Sequence, residues 1–323
     1  VAANVVSVSA PARLHLGFLD MHGGLGRVFG GIGMALAAPA TRIRIEPADE
    51  TSVEGPDRTR ARWHLEAMRS RLGIDQLHHR LVIEETIPHH CGLGSGTQLA
   101  LAVAAALRTL EGMPLDPEGD AAFLGRGARS GVGAGFFLEG GVLVDGGKGR
   151  NELPPPVIAR LSFPTAWRVV LVFDPSTQGM HGGAEAEAFK ALPPFPERDA
   201  ADICRLVLMQ ALPGLAEEDI VSFGQAIAEI QIRVGRHFQP AQGGIYASPK
   251  VAAAMKRLTA AGAHGAGQSS WGPTGFAFAA SQAEAETLVG ALGAHREGLD
   301  IRIVEGRNTG ASVDRHSEMA LTR

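Results

Sequence analysis

The sequence predicts a mixed α+β protein in two parts. Three observations carry this. Short stretches of alternating or branched apolar residues recur, as strands require, with residues 42–46 (RIRIE) and 167–173 (WRVVLVF) the clearest. Between such stretches lie apolar runs long enough for helices, above all residues 97–110. Pro154, Pro155 and Pro156 stand in succession near the middle of the 323 residues, and prolines deny the backbone both helix interior and central strand. The boundary is set beside them, giving domains of residues 1–160 and 161–323. Each falls in the usual range of roughly 100–200 residues for one domain.

In the first part, residues 5–9, 14–19 and 42–46 read as strands. Residues 63–72 fit a short helix and 80–86 (RLVIEET) a strand. Pro88 ends that strand, a glycine-rich turn follows, and the helix over 97–110 begins. A further helix is expected over 116–128 and a strand over 140–147. The second part opens on the strand 167–173. Helices follow over 200–212, 217–234 and 249–261, then a strand at 275–279, a helix at 283–292 and a strand at 301–304.

Composition removes several function classes. The net charge of −4 offers no basic face for nucleic acid. No charge-free apolar run reaches the ~18 residues of a membrane helix. The first residues alternate polar and apolar without a basic start, unlike a signal peptide. Two cysteines, Cys91 and Cys204, make neither a disulfide framework nor a metal spacing, which points to a reducing cytoplasm. Cys91 reads as a small apolar residue rather than a nucleophile. Glycine, at 42 residues, is about twice the usual ~7% and clustered, which suggests loops that let the backbone approach a ligand.

The richest segment is residues 87–107, IPHHCGLGSGTQLALAVAAAL. Gly92, Gly94 and Gly96 alternate with Leu93 and Ser95, and Thr97 and Gln98 enter the helix. Glycines leave no Cβ between amides and ligand, and the first N–H groups of a helix lack internal partners and carry partial positive charge. The hydroxyls of Ser95 and Thr97 add donors. Together these residues form a candidate cradle for phosphate or pyrophosphate. The plainer alternative is a tight strand-to-helix turn. No Lys follows the last glycine, so this is not a Walker loop.

The pattern P-x-x-x-G-L-G-S-[SG] entering an apolar helix, matched by Pro88 to Gly96, resembles the phosphate loop of the GHMP superfamily. APARLHLGFLD (residues 10–20) is similar to that superfamily's first motif, and GAGQSSWGPTGFAF (residues 265–278) to its third. The resemblance implies an N-terminal α+β domain with a left-handed βαβ crossover, against the general right-handed preference. It further implies a ferredoxin-like C-terminal domain, an active site in the cleft between them, and a homodimer. Residues 11–36, GLGSGTQ, GQSSWGPT and DPSTQGMHGGAE (residues 174–185) resemble, more narrowly, the β-ribofuranosylaminobenzene 5'-phosphate synthase family. That family's reaction would join phosphoribosyl pyrophosphate to 4-aminobenzoate, releasing CO₂ and pyrophosphate, in the biosynthesis of the one-carbon carrier tetrahydromethanopterin. Magnesium, held through Asp20 or Ser95, would be expected; ATP, pyridoxal phosphate and flavin would not.

Small-molecule kinases of the superfamily carry an Asp in a segment similar to SGVGAGFFLEGG (residues 130–141), where its place falls on Gly133. This argues against an ATP-dependent kinase, which stays as one alternative beside a non-catalytic sugar-phosphate-binding relative. Arg27, the first catalytic candidate, stands between glycines in GGLGRVFGG, where no amphipathic pattern calls for it, and its planar fork suits bidentate anion recognition; the plainer alternative is a solvated loop arginine. Asp20, the second catalytic candidate, would meet metal, a ribose hydroxyl or the amino group; Asp also simply opens turns. Arg13 and His15 alternate with apolar neighbours, which would turn them to the substrate cleft; the equal alternative for both is a satisfied structural role. Further contacts are expected from His181 and Glu185, whose spacing would put them on one helix face unless the glycines between them prevent that helix, and from the polar turn Gln268, Ser269 and Ser270. Trp271 is read as packing. His89 and His90 suggest a metal pair but lack a third ligand.

Overall fold

The computed structural model of the protein describes residues 3–127, 130–150, 153–179 and 182–318. Two strands, β1 (Ala3–Asp20) and β2 (Phe29–Pro47), are longer than any the alternation predicted. The expected strands 5–9 and 14–19 are one. Pro11 interrupts their pattern but not their pairing, because it sits at a register shift between Pro11 and Ala12, where a missing N–H is tolerated.

The chain continues through β3 (Ser52–Glu54), α1 (Arg58–Leu72), β4 (His79–Glu85), α2 (Ser95–Leu110), α3 (Pro117–Phe123), α4 (Val132–Leu138), β5 (Val142–Asp145) and β6 (Val157–Leu161). β3 and β4 are parallel with α1 between them, and β4 and β5 pair with the two halves of β2. The second part holds β7 (Arg168–Phe173), α5 (Gly182–Ala191), α6 (Glu197–Leu206), a π-helical turn (Val207–Ala211), α7 (Leu212–Ala216), α8 (Ile220–Gln242), α9 (Pro249–Ala260), β8 (Ala266–Gln268), β9 (Gly275–Ala279), α10 (Gln282–Ala291) and β10 (Asp300–Val304). Its sheet runs β10-β7-β9-β8, all antiparallel. With helices after β7 and β9, that is the ferredoxin-like order.

The last strand, β11 (Ser312–Glu318), leaves the second domain and pairs with β1 from Ala3 to Ser9. It covers an edge that would otherwise present unpaired N–H and C=O groups, so the chain returns to the first sheet after β10. The glycines after His181 do not prevent a helix, since α5 starts at Gly182.

The cores follow from burial patterns. α2 is buried nearly all round, against Val6, Val8, Ile43, Ile45 and Leu81 of the sheet and Leu65 and Met68 of α1. Further along β1, Leu14, Leu16 and Phe18 belong to another core with Phe223, Ile227 and Ile230 of α8 and Phe276 and Phe278 of β9. β1 therefore serves both parts, and the strand face between the two cores is where a site forms. Among the described residues no helix is long and apolar enough to cross a membrane.

Candidate active site

Three segments distant in sequence meet at one hydroxyl. Ser269 Oγ accepts the amide hydrogen of His15 at 3.0 Å and donates to the carbonyl of Gly92 at 2.8 Å. Beside it the Arg13 amide donates to the Leu93 carbonyl at 2.9 Å. Strand β1, the glycine loop and the loop after β8 are thus tied together. The tie leaves no room at Gly92: its φ is +80°, and a Cβ there would stand 2.1 Å from the Ser269 carbonyl oxygen.

Next to this junction lies a cavity of about 540 Å³, a size suited to a small-molecule ligand. Its wall is built from Arg13, His15 and Phe18 of β1, residues 92–97, Arg60 of α1, residues 125–127 with Ser130 and Gly133, and residues 270–272. Gly94 takes the left-handed conformation, φ +77°, and α2 starts with no side-chain cap. The amides of Thr97 and Gln98 bond to the Gly94 carbonyl. Those of Ser95 and Gly96 precede them in the first turn, and both residues line the cavity.

Two guanidinium groups converge on that helix start. A point one bond out from the Gly96 α-carbon lies 3.1 Å from Arg126 Nη1 and 3.7 Å from Arg60 Nη1. Arg60 is held by Asp57 and by His89 Nδ1. The Arg126 side chain makes no hydrogen bond or ion pair among the described residues, and its buried Nε has no partner. Burial and the neighbouring Arg60 both press its pKa below the ordinary guanidinium value. Helix amides with two cations, one of them unpaired at its side chain, are suited to hold an anion.

His15 is buried, and burial together with Arg13 pushes its pKa from 6.5 down to about 3, so its ring is neutral near pH 7. His64, beneath Arg126 and Arg60, falls to about 4, chiefly by burial. Between these values and 6.5 the unfolded chain holds protons that the folded chain refuses. Stability is therefore fully present above pH 6.5. It declines as pH falls through that window, by about 1.4 kcal/mol per pH unit for each group. Urea denaturation should show a lower midpoint at pH 4.5 than at pH 7, with a shallower decline in His64→Leu. Equal midpoints would contradict the assignment.

Of the residues expected at the site, Arg13, His15, Gly92, Leu93, Gly94, Ser95, Gly96, Thr97 and Ser270 line the cavity. Ser269 is buried at the junction, and Gln98 is buried in the first turn of α2, where its side-chain amide donates to the Gly133 carbonyl at 2.8 Å. Gln268 braces its own loop, accepting the Ala247 amide and donating to the Ser270 carbonyl. Asp20 and Arg27 are not brought into the lining. One Asp20 oxygen accepts the amides of His22 and Gly23, an Asx turn of the ordinary kind. Arg27 is exposed and donates to the carbonyls of Gly146 and Gly147 at 2.6 and 2.7 Å. His181 lies outside the described residues. His90 lines the cavity while His89 faces Asp57 and Arg60. Among the described residues no group of three or more His, Cys, Asp or Glu could hold a metal ion.

Sequence reasoning missed Arg60, Arg126, Phe18 and Asp145. Arg126 stands in GRGAR with the same glycine-flanked signal as Arg27 and was open to the same argument. Asp145 is buried, with its pKa raised by that burial, and accepts hydrogen bonds from Ser130 Oγ and the amides of Gly131 and Gly147. It positions Ser130 at the cavity wall. Gly133 does line the cavity, and a Cβ there would be 3.1 Å from Thr97 Cγ2. The lining contains no Asp or Glu among the described residues.

The fold and the glycine loop define a GHMP-superfamily enzyme, and comparison with known proteins agrees. The GHMP kinases N terminal domain matches residues 60–140 and the GHMP kinases C terminal domain residues 211–297. The mevalonate kinase of Methanococcus jannaschii superimposes with a TM-score of 0.69 over 94% of this chain and 98% of its own, at 14% identity, a likeness of fold alone. The chain is 32% identical to the β-ribofuranosylphenol 5'-phosphate synthase of Methanothermobacter thermautotrophicus over 94% of its length and 97% of the relative's. It is 35% identical to the enzyme of that name from Archaeoglobus fulgidus over 70% and 75%. The chain belongs to the β-ribofuranosylphenol 5'-phosphate synthase family, a family of enzymes of the pentosyltransferase type. The relatives' name carries phenol where the motif resemblance implied aminobenzene.

Proposed function

We propose that the protein transfers the 5-phosphoribosyl unit of phosphoribosyl pyrophosphate to a para-substituted benzoate, with release of pyrophosphate and CO₂. The observation that carries this is the cavity itself. It offers helix amides, Arg126 and Arg60 for an anionic leaving group, with no carboxylate among the described lining residues. In the reaction the bond between ribose C1 and pyrophosphate breaks, and the cationic cradle takes up the growing negative charge. The ring carbon bearing the carboxylate forms the new bond to C1. The para substituent, hydroxyl as in the relatives' name or amino as in the motif resemblance, feeds electrons into the dearomatised cation. The bond to the carboxylate then breaks, CO₂ leaves, and its electron pair restores the aromatic ring. No net proton is gained or lost, so no protein base is required. The wall's largest contribution is orientation, which supplies up to about 7–11 kcal/mol in the best intramolecular cases.

A kinase acting through a carboxylate base would need one where Gly133 has no side chain. Magnesium is expected with a pyrophosphate substrate, but the described lining lacks the carboxylates that usually anchor it, and no step is assigned to it. Product use in tetrahydromethanopterin assembly, and a homodimeric state, rest on the family resemblance. The test is release of labelled CO₂ from carboxyl-labelled 4-hydroxybenzoate or 4-aminobenzoate with phosphoribosyl pyrophosphate and magnesium, without ATP. Enzyme-dependent release with at least one acid is expected. No release with either, or an absolute ATP requirement, would overturn the proposal.

A further inference from the structure

Two buried ring nitrogens at this cavity have no partner. His15 is 2% exposed and Trp271 3% exposed, yet His15 Nε2 and Trp271 Nε1 make no hydrogen bond. Both residues line the cavity, as does Phe18, three residues beyond His15 on β1. Buried polar atoms are almost always satisfied, so a pair of orphans beside one cavity calls for an explanation.

Their setting is aromatic. A register shift on β1 between His15 and Gly17 breaks the strict alternation of faces, and the rings of His15 and Phe18 meet at 4.6 Å. Phe18 packs edge-on against Phe238 at 6.0 Å, and Phe238 lies 4.2 Å from Trp271. The backbone under these rings is fixed, since the His15 amide is held by Ser269 Oγ and Ser269 by Gly92. The arenes are thus set by the same hydroxyl that sets the phosphate loop.

The geometry points to His15, Phe18 and Trp271 as the subsite for the aromatic acceptor, with His15 Nε2 reading its para group. This rests on the transfer reaction proposed above. The arenes offer faces and edges to a flat ring. His15 is uncharged, so one ring nitrogen is a lone-pair acceptor; as Nε2 it accepts the hydrogen of a para hydroxyl or amino group. That hydrogen bond pushes electron density into the ring and strengthens the attacking carbon. Trp271 Nε1–H is a donor only and meets an oxygen of the same ligand. A benzoate without a para donor leaves His15 unpaired and binds more weakly.

The test uses the full chain and three probes: 4-hydroxybenzoate, 4-aminobenzoate and benzoate. Dissociation constants are measured calorimetrically with pyrophosphate present, and KM values for acid and phosphoribosyl pyrophosphate separately. Wild type should bind at least one para-substituted acid about tenfold tighter than benzoate, the size of one hydrogen bond. In His15→Phe that ratio should fall to near one. Trp271→Phe keeps the ring and removes the N–H; it should raise the KM for the acid about fivefold to tenfold and leave that for phosphoribosyl pyrophosphate unchanged. If wild type releases CO₂ but both variants keep its ratio and KM values, this subsite is overturned while the reaction stands. If wild type neither binds nor turns over any of the acids, subsite and reaction fall together.

Discussion

Arg126→Ala is expected to raise the KM for phosphoribosyl pyrophosphate ten- to a hundredfold while leaving the melting temperature unchanged or slightly higher. The guanidinium stands beside the Gly96 helix start with no protein partner among the described residues. It therefore costs the empty enzyme solvation and returns nothing until an anion arrives. A hydrogen bond to a charged group contributes roughly 1.5–3 kcal/mol, which sets the range. Arg126→Lys should recover part of the loss, because an ammonium supplies charge without the planar fork. Steady-state kinetics beside thermal melts decide the matter. An unchanged KM would remove Arg126 from the cradle. Arg27→Ala is the informative companion. Its guanidinium is engaged with the carbonyls of Gly146 and Gly147, so a larger kinetic loss there would return the anion role to the β1–β2 hairpin.

Gly92→Ala should abolish turnover and lower stability by about 3 kcal/mol or more. Two effects add. A left-handed backbone costs an L-residue roughly 1–2 kcal/mol, and the new methyl would meet the Ser269 carbonyl oxygen at 2.1 Å. Neither backbone can yield without breaking the junction that joins β1, the phosphate loop and the loop after β8. Gly73→Ala is the control. Gly73 also has a positive φ, +69°, at the end of α1, but its Cβ would meet nothing within 4 Å. The difference between the two variants in denaturant midpoint measures the collision alone. Equal losses would mean that the junction is softer than the geometry implies.

The local physics of the glycine loop at residues 92–96 was legible in the sequence alone. Alternating glycines before an apolar run leave few options besides a sharp turn into a helix, and Gly94 adopts the left-handed conformation at its start. The alternating strand 42–46 and the buried strand 167–173 were equally plain. β2 was half hidden, because its first residues, FGGIGMALAAPA, trade alternation for small residues that pack beneath α4 and β5. β11 was invisible: SVDRHSE has weak alternation and becomes a strand because the edge of β1 is there to pair with.

The site divides along the same line. His15 could be placed by its position between Leu14 and Leu16, since alternation decides which side of a strand a residue faces. Nothing local marks Arg60 and Arg126 as neighbours; 66 positions part them, and only the packing of α1 and the turn after α3 against α2 brings both to Gly96. Ser269 reads as one more polar loop residue until its hydroxyl is found between two backbones.

By itself the sequence determined the α+β class, the anion-ready helix start and the absence of a carboxylate at position 133, because each depends on neighbours in the chain. Only the tertiary structure decided which cations serve that helix start, which arenes stand beside it and where the last strand ends its course. Those are meetings of distant segments, selected by burial and by the pairing of backbone groups rather than by any residue's own preference.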